Sequence, residues 1–395
     1  MRVVLTSTSY PPVIGGAQLH THRVAVELAK RHDVNVITQW STYRTDWLLG
    51  TTVRAPASPR DYQIEGIRVH QLGLGVAKKV RLAPHVLAYY LLQKSSIRHL
   101  ALCQLDQLEA LGLQPEVVHN SRIGREPLSF ASLALARRHD VPFFLTPFHH
   151  PRWGGWMHRH YLRLYRLADG IIALTETEKR TLVELGVCED RIHVAGMGPV
   201  LAPTGSGERF RQRHGVFGPL VLFLGQKYRY KNIAALLDAA PLVWGRFPEA
   251  WFAFLGPRTP YSRRLFRSLR DRRIIELDSV DLQEKTDALN ACDLLCLPSS
   301  QESFGAVFLE AWMMGKPVVG ARIPAVAEVI SDGNDGLLTE PTAPAIAERI
   351  VGLLQDGRFA AAMGRAGKAK AEARFTWNQI AATIERAYAI AASRG

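Results

Sequence analysis

Two glutamates, Glu302 and Glu310, follow an apolar run of the sequence, with seven residues between them. Within that interval Ser303 can cap a helix, and Gly305 lets the backbone come close to a ligand. Free N–H groups at the start of such a helix suit a phosphate group. The pattern therefore indicates either a phosphate-binding loop flanked by two carboxylates or an ordinary strand-to-helix connection with two surface glutamates.

The flanking sequence predicts which elements hold this stretch. The apolar run 293–297 is typical of a buried parallel strand, and Gly315, Lys316 and Pro317 mark the end of a helix. Ligands of open α/β sheets bind outside the carboxyl ends of the strands. A second loop of this kind, 225–232, follows the apolar run 220–224 and is basic.

Composition and charge limit the class of protein. The chain has 395 residues, of which 47% are hydrophobic and 22% charged, with a net charge of +13. These values are typical of a globular protein of two or three domains with an anionic partner, which could be a nucleic acid, a phosphorylated ligand or an anionic lipid surface. The chain enters a strand at once and has no long apolar stretch, so we expect neither a signal peptide nor a membrane-spanning helix. The four cysteines are too few and too scattered for a disulfide framework, which favours a reducing, cytoplasmic compartment: Cys103, Cys188, Cys292 and Cys296.

Strands and helices alternate along the whole chain, which predicts an α/β fold. The unit 1–38 reads as strand, helix, strand, and its glycine pair, Gly15 and Gly16, lies just before the helix without forming a dinucleotide-binding fingerprint. The alternation restarts after a Gly/Pro/Ser-rich stretch. We therefore predict two Rossmann-like, doubly wound domains facing across a ligand cleft. The predicted parts are an N-terminal domain, 1–199, a linker region, 200–218, and a C-terminal domain, 219–375, followed by a last helix, 376–395.

Two segments leave alternatives open. The segment 76–111 interleaves lysines and arginines with apolar and aromatic residues, as in a helix that docks on anionic lipid. Because its apolar positions nearly encircle the helix, we favour a core helix with a solvated basic end. The histidines between 149 and 160 could suggest a metal site, but no carboxylate stands near them in sequence, and we predict no metal.

Four blocks of sequence, in order, resemble the retaining glycosyltransferase family 4, which has the two-domain GT-B fold. They are Pro11-Pro12, Gly15-Gly16 and His20; Gly225, Lys231-Asn232-Ile233, Leu236-Leu237 and Ala239; Pro298-Ser299, Glu302-Ser303-Phe304-Gly305 and Glu310-Ala311; and Gly315-Lys316-Pro317-Val318-Val319 with Glu328-Val329-Ile330, Asp332-Gly333 and Gly336-Leu337-Leu338. The resemblance covers nearly the whole chain, and it implies that the last helix, 376–395, packs back on the first domain and completes it. It implies transfer of a hexose from a nucleotide-diphosphate sugar, linked to uridine or guanosine, with retention at the anomeric carbon.

The resemblance also implies roles for single residues. Glu310 accepts hydrogen bonds from the donor ribose, Glu302 faces the transferred sugar, and Lys231 stabilises the leaving diphosphate, with Lys227 or Arg229 as a second cation. The implied donor-binding set is Gly16, Gly225, Lys227, Arg229, Lys231, Ser279, Val280, Ser303, Phe304, Gly305, Ala306, Val307 and Glu310. The implied catalytic set is Glu302, Lys231 and His149, with His150 as the alternative histidine. The acceptor-side candidates are Gly15, His150, Arg152 and Trp153.

The same resemblance implies no cofactor and no metal, because basic side chains and the N-terminus of a helix take the place of a metal ion at the diphosphate. The basic first domain favours an anionic or lipid-linked glycan acceptor and peripheral contact with the inner membrane face, although a small-molecule acceptor stays open. The competing functions are a nucleic-acid- or membrane-binding protein without transferase activity, and another GT-B enzyme such as an epimerase. Gln226 stands where the family often has arginine, so the second phosphate contact is the least defined part of the site.

Overall fold

The computed structural model describes residues 1–13, 15–40, 47–122, 124–149 and 153–393. The chain forms two compact units, one of Met1–Gly196 with Trp377–Gly395 and one of Met197–Thr376. Each unit is built on its own sheet, so the predicted α/β class with two doubly wound sheets is confirmed.

Within the described residues, the first unit has an eight-stranded sheet in the order β3-β4-β2-β1-β5-β6-β7-β8. Its strands are β1 Arg2–Ser9, β2 Asp33–Trp40, β3 Arg60–Ile64, β4 Ile67–Gln71, β5 Val117–Ser121, β6 Phe143–Thr146, β7 Gly170–Ala173 and β8 Ile192–Val194. Its first seven helices are α1 Gly16–Leu28, α2 Trp47–Gly50, α3 Val76–Leu87, α4 Gln93–Glu109, α5 Leu128–Arg138, α6 Arg159–Leu167 and α7 Glu176–Glu184. All strand pairs are parallel except β3 with β4. The central strands β1 and β5 are buried along nearly their whole length, as expected where helices cover both faces of a parallel sheet.

The second unit has, in its described residues, a six-stranded parallel sheet in the order β11-β10-β9-β12-β13-β14. Its strands are β9 Leu220–Leu224, β10 Trp251–Leu255, β11 Ile274–Leu277, β12 Leu294–Leu297, β13 Val318–Ala321 and β14 Leu337–Thr339. Its helices are α8 Gly207–His214, α9 Ile233–Trp244, α10 Pro260–Phe266, α11 Leu282–Ala291, α12 Ala306–Met313, α13 Pro324–Val329, α14 Ala343–Gln355 and α15 Gly357–Arg374. The strand order reverses between β9 and β12, and such a switch point is where doubly wound sheets bind ligands.

The last helix, α16 (Trp377–Ala392), belongs to the first unit. It buries Ile380, Ile384 and Tyr388. The Tyr388 hydroxyl lies 2.6 Å from Nδ1 of His119, on β5. At the surface Glu385 accepts a hydrogen bond from Arg31, with 2.8 Å between Oε2 and the guanidinium nitrogen. Apolar burial and this paired charge therefore hold α16 on the first sheet.

Two local expectations differ from the structure. The segment 76–111 forms two helices, α3 and α4, separated at 88–92, rather than one helical stretch. Strand β3 pairs antiparallel with β4 and no helix joins the two, which departs from the strand–helix alternation that the sequence predicts. Both features depend on tertiary packing, which overrides the local pattern in short segments.

Because His20 and His119 are fully buried, we expect the free energy of unfolding to depend on pH. Burial lowers the pKa of His20 to about 4 and that of His119 to about 3. In the unfolded chain both take up a proton near pH 6.5. Between pH 6.5 and 4 the unfolded state therefore binds more protons, and stability falls as the pH falls. We expect acidification from pH 7 to 5 to lower the free energy of unfolding by about 2 kcal/mol per histidine.

Urea unfolding of the full-length protein at pH 8, 7 and 5 tests this expectation. The free energy should change little between pH 8 and 7, where both states carry neutral histidines. Carboxylates whose pKa is lowered, such as Asp287 at about 2, act at more acidic pH and do not contribute in this window. A free energy of unfolding that is constant from pH 7 to 5 would contradict the assignment.

Candidate functional site

Two loops meet at the switch point of the second sheet, one after β9 and one after β12. The side-chain amide of Asn232 donates to the Pro298 carbonyl at 2.8 Å. The Ser300 N–H donates to the Tyr230 carbonyl at 2.9 Å. These bonds hold the basic loop against the loop that carries Glu302.

Lys231 and Glu302 form an ion pair across the two loops. Their side chains are 13% and 11% exposed, so both are mostly buried while an edge of each reaches solvent. The ring of Tyr230 lies 5.5 Å from the Lys231 ammonium nitrogen. A cation and a carboxylate of the predicted site are therefore brought together in one place and held there before any ligand arrives.

The helix after this loop, α12, begins at Ala306. Its N-cap residue is Gly305, two positions after Ser303. Gly305 has φ +87°, and a Cβ there would lie 2.5 Å from the Phe308 ring. The first-turn N–H groups of Ala306 and Val307 have no acceptor within the helix, as at any helix start. This terminus can hold an anion.

Glu310 projects from the second turn of α12 and is 4% exposed. Its Oε1 accepts from the Lys285 ammonium at 2.7 Å and from the Val200 N–H at 3.3 Å. Its Oε2 is buried and makes no hydrogen bond with any residue that the structure describes. A buried carboxylate oxygen without a donor is costly, so this atom is suited to accept hydrogen bonds from a ligand.

Lys285, on α11, is a residue that the sequence analysis missed. Its ammonium group bonds Glu310 and also donates to the Val200 carbonyl at 2.6 Å. It thereby fixes which carboxylate oxygen of Glu310 is occupied. No local motif marks it, since the contact joins residues 25 positions apart in sequence.

The structure separates Lys227 from the other predicted cations. Lys227 is completely buried, pairs with Glu276 and donates to the Leu277 carbonyl. Burial lowers its pKa, and the Glu276 carboxylate offsets this only in part. Its ammonium group is therefore not available to a phosphate in this conformation. Arg229, in contrast, is exposed and makes no ion pair with any described residue.

Three other donor-side candidates lie at the ends of neighbouring strands. Gly225 follows β9 with φ +150°, a conformation that favours glycine. Ser279 and Val280 follow β11, where the Ser279 N–H donates to the Asp278 carboxylate at 2.8 Å. All three stand at the carboxyl edge of the sheet, on the same side as Lys231 and Glu302.

In the first unit, the predicted residues lie at the ends of β1 and β6. Gly16 is the first residue of α1, and Gly15 is its N-cap. The His149 N–H donates to Glu178 Oε1 at 2.6 Å, and its Nδ1 lies 3.2 Å from the Tyr165 hydroxyl. Glu178 also accepts from the Leu174 N–H, so it ties the ends of β6 and β7 together. His150 and Arg152 lie outside the described residues.

Trp153 belongs to an aromatic cluster around Arg122, a second residue that the sequence analysis missed. The Arg122 guanidinium is fully buried, 4.7 Å from the Trp153 ring and 5.0 Å from the Tyr161 ring. Burial, followed by the charges of Arg122 and Arg125, lowers the pKa of His158 to about 4. The cluster is a positively charged, aromatic-lined patch of the first unit.

The part of the chain that the structure describes contains no group of three or more His, Cys, Asp or Glu residues placed to hold a metal ion. Within the same residues, no helix combines the length and apolarity that a membrane span requires.

Both units match known protein families. Residues 15–198 match the family model of the glycosyl transferase 4-like domain, and residues 218–356 match that of glycosyl transferases group 1. The two models together cover most of the chain, in the order in which the two sheets occur.

The chain belongs to glycosyltransferase family 4. It is therefore a glycosyltransferase that uses a nucleotide-sugar donor.

Individual relatives agree with this assignment. The chain is 27% identical to a glycogen synthase of Mycobacterium tuberculosis over 425 aligned positions, which cover 100% of this chain and 96% of the relative. It is 32% identical to a phosphatidyl-myo-inositol mannosyltransferase of the same organism, over 45% of this chain and 49% of the relative. The solved structure of HepE from Anabaena, in complex with UDP and glucose, superposes with a TM-score of 0.73 at 18% identity, covering 98% of both chains. That likeness shows the GT-B fold.

Proposed function

We propose that this glycosyltransferase moves a hexose from a UDP- or GDP-linked donor to an acceptor hydroxyl, with retention of the anomeric configuration and without a metal ion. The observation that carries the proposal is the buried Glu310 carboxylate with one unoccupied oxygen, in the same unit as the Lys231–Glu302 pair. These groups provide acceptors for hydroxyls and a cation for a diphosphate.

The nucleoside would bind at Glu310. Two adjacent ribose hydroxyls can donate to a carboxylate, and a charged acceptor makes such bonds strong. Lys285 holds Oε1, which leaves Oε2 for the ribose. The backbone around Ser279 and Val280 stands at the end of β11 and is the proposed contact for the base.

The diphosphate would bind at Lys231, Arg229 and the start of α12. Negative charge grows on the leaving diphosphate as the bond to the sugar breaks, and preorganised cations and N–H groups stabilise that charge most in the transition state. Lys227, buried against Glu276, is not part of this set. Lys231 and Arg229 supply the positive charge that a divalent metal would otherwise provide.

Glu302 would contact hydroxyls of the transferred sugar. The ion pair with Lys231 would hold its carboxylate in position beside the anomeric centre, where positive charge develops. In a retaining reaction the acceptor attacks from the side on which the diphosphate leaves. Glu302 and Lys231 would therefore both act on the same face of the sugar.

The acceptor-side candidates belong to the first unit: Gly15, His150, Arg152 and Trp153, to which we add the buried Arg122 beside Trp153. A mannosyltransferase relative carries phosphatidyl-myo-inositol in its name, and this chain has a net charge of +13. Both facts support an anionic or lipid-linked acceptor and peripheral contact with a membrane. Four unpaired cysteines, two of them buried, support a cytoplasmic site of action.

A thermal-shift screen of nucleoside diphosphates and their sugars tests the proposal. Ligand binding to the folded state raises the midpoint of unfolding, so the correct base and sugar should give the largest increase. If DNA or lipid vesicles raise the midpoint while no nucleoside diphosphate does so at millimolar concentration, the transferase proposal is wrong.

Replacing Lys285 with methionine should weaken nucleoside diphosphate binding by roughly tenfold, because Glu310 loses the partner that orients it. The decisive readout is discrimination between ribose and deoxyribose. Wild-type protein should prefer the ribonucleotide, and the Lys285→Met variant should lose most of that preference. Lys285→Arg, which keeps a donor, is the matched variant and should retain it. Equal discrimination in all three proteins, measured by calorimetric titration, would rule out this role.

A further inference from the structure

Helix α3 has two apolar faces, and only one of them is covered by protein. Leu82 and Val86 are buried and pack with Tyr89 in a cluster of the first unit. Val76, Val80 and Leu87 lie on another face of the helix, at spacings of four and seven residues. They are 73%, 68% and 84% exposed. The apolar residues that nearly encircle this helix in the sequence therefore do not make it an ordinary core helix.

The turn between α3 and α4 continues the exposed apolar surface. Tyr90, Leu91 and Leu92 follow one another there and are 48%, 84% and 61% exposed. Single exposed apolar residues are common, but a run of large ones beside an apolar helix face marks an interaction site.

The same two helices carry unpaired positive charge. Lys78, Arg81, Lys94 and Arg98 are exposed, and none of them makes an ion pair with a described residue. The sequence has no Asp or Glu from residue 66 to residue 105. The rings of His85 on α3 and His99 on α4 stack at 3.9 Å, which holds the two helices side by side.

We propose that this α3–α4 surface docks on a bilayer that contains anionic phospholipids. We define the surface by its exposed apolar and basic residues: Val76, Val80, Leu87, Tyr90, Leu91, Leu92, Lys78, Arg81, Lys94 and Arg98. The inference rests on the proposed function and deepens it, since it identifies where an enzyme with a lipid-linked acceptor meets the membrane.

The combination of residues favours lipid over other anionic partners. An interfacial helix inserts leucines at the boundary of headgroups and acyl chains while its lysines and arginines contact anionic headgroups. A nucleic acid would use the cations but would leave Leu87 and Leu91 in water. Of these two partners, only the bilayer can contact both the apolar and the basic residues of the surface.

Vesicle flotation with the full-length protein tests the inference. The vesicles contain equal parts of phosphatidylglycerol and phosphatidylcholine, with pure phosphatidylcholine as the uncharged comparison. The apolar variant is Leu87→Ser with Leu91→Ser. The charge variant replaces the four cations of the surface with glutamine: Lys78, Arg81, Lys94 and Arg98. Matched controls in the second unit are Phe217→Ser, at a phenylalanine that is 91% exposed, and glutamine at three exposed arginines: Arg263, Arg264 and Arg267.

We expect the wild-type protein and both controls to bind the anionic vesicles with similar affinity. The apolar variant should bind the anionic vesicles with an affinity at least about tenfold lower than that of the wild type. The affinity of the charge variant for the anionic vesicles should fall about five-fold for each cation removed. Binding of the wild-type protein should weaken with added salt.

Three results would overturn the inference: wild-type protein that does not float with anionic vesicles, an apolar variant that binds as wild type does, or a second-unit arginine control that loses as much as the charge variant. The last two would indicate a general polyanion effect of the net charge. Nucleoside diphosphate binding measured on the same preparations separates this surface from the proposed function. Wild-type protein that binds the nucleotide but not the anionic vesicles contradicts only the membrane surface, whereas absence of nucleotide binding in the wild type contradicts the transferase proposal.

Discussion

Replacing Glu310 with alanine should weaken the binding of the cognate nucleoside diphosphate by between about tenfold and a hundredfold. That range corresponds to the loss of hydrogen bonds to a charged acceptor, roughly 1.5–3 kcal/mol. Isothermal titration of the wild-type and variant proteins measures it. Glu340→Ala, at an exposed glutamate of the same unit, is the matched control and should bind as wild type does.

The same loss of nucleotide affinity should appear when the ribose of the nucleotide is changed and the protein is left as wild type. Glu310→Ala leaves Lys285 mostly buried and without its carboxylate, so part of its effect could be a loss of stability. A 2′,3′-dideoxy nucleoside diphosphate removes the ribose hydroxyls instead, and it should bind wild-type protein as weakly as the ribonucleotide binds Glu310→Ala. If the dideoxy compound and the ribonucleotide bind wild type equally, Glu310 does not hold the ribose.

Replacing Glu302 with alanine should lower turnover and leave nucleotide affinity nearly unchanged, in contrast to Glu310→Ala. Turnover should fall by a factor of about 10²–10³, as expected when a charge-stabilising group next to the reacting centre is removed. The affinity for the nucleoside diphosphate should stay within about threefold of wild type, because in the proposed mechanism Glu302 contacts the sugar and not the nucleotide. Steady-state kinetics with saturating donor, together with titration of the free nucleotide, separate the two effects.

Glu302→Gln refines this test. Glutamine keeps the size of the side chain but removes its charge, so turnover close to that of Glu302→Ala would show that the charge matters. The Lys231 cation then also loses its ion pair, and nucleotide binding reports whether it still holds the diphosphate. Wild-type turnover in both Glu302 variants would contradict the assignment of this residue.

The fold was predictable because its signals are local. Apolar runs such as 220–224 and 293–297 mark buried parallel strands, and the loop that follows each run lies at the sheet edge where ligands of open α/β sheets bind. The alternation of these runs with helical segments specified two doubly wound sheets. The placement of Glu302 and Lys231 in one site follows from this topology, since β9 and β12 are neighbours.

The partners of the site residues were not predictable in the same way. Lys285 and Glu310 lie on different helices, and only the packed structure shows that they meet. Lys227 shows the reverse case. Its position in the basic loop predicts a phosphate contact, yet the loop conformation buries it against Glu276. The exposed face of α3 is also a tertiary result, because the sequence cannot tell which of two apolar faces the protein covers.

The most direct test of the central claim is an NMR measurement of the transferred sugar. The enzyme is incubated in the presence of a metal chelator with the nucleotide sugar identified by the thermal-shift screen and an acceptor extract of membrane glycolipids. The anomeric proton of the first product is then followed before it can equilibrate. We predict transfer with the same anomeric configuration as the donor. A product of inverted configuration, or transfer that stops when metal is removed, would contradict the mechanism built on Glu302, Lys231 and the start of α12.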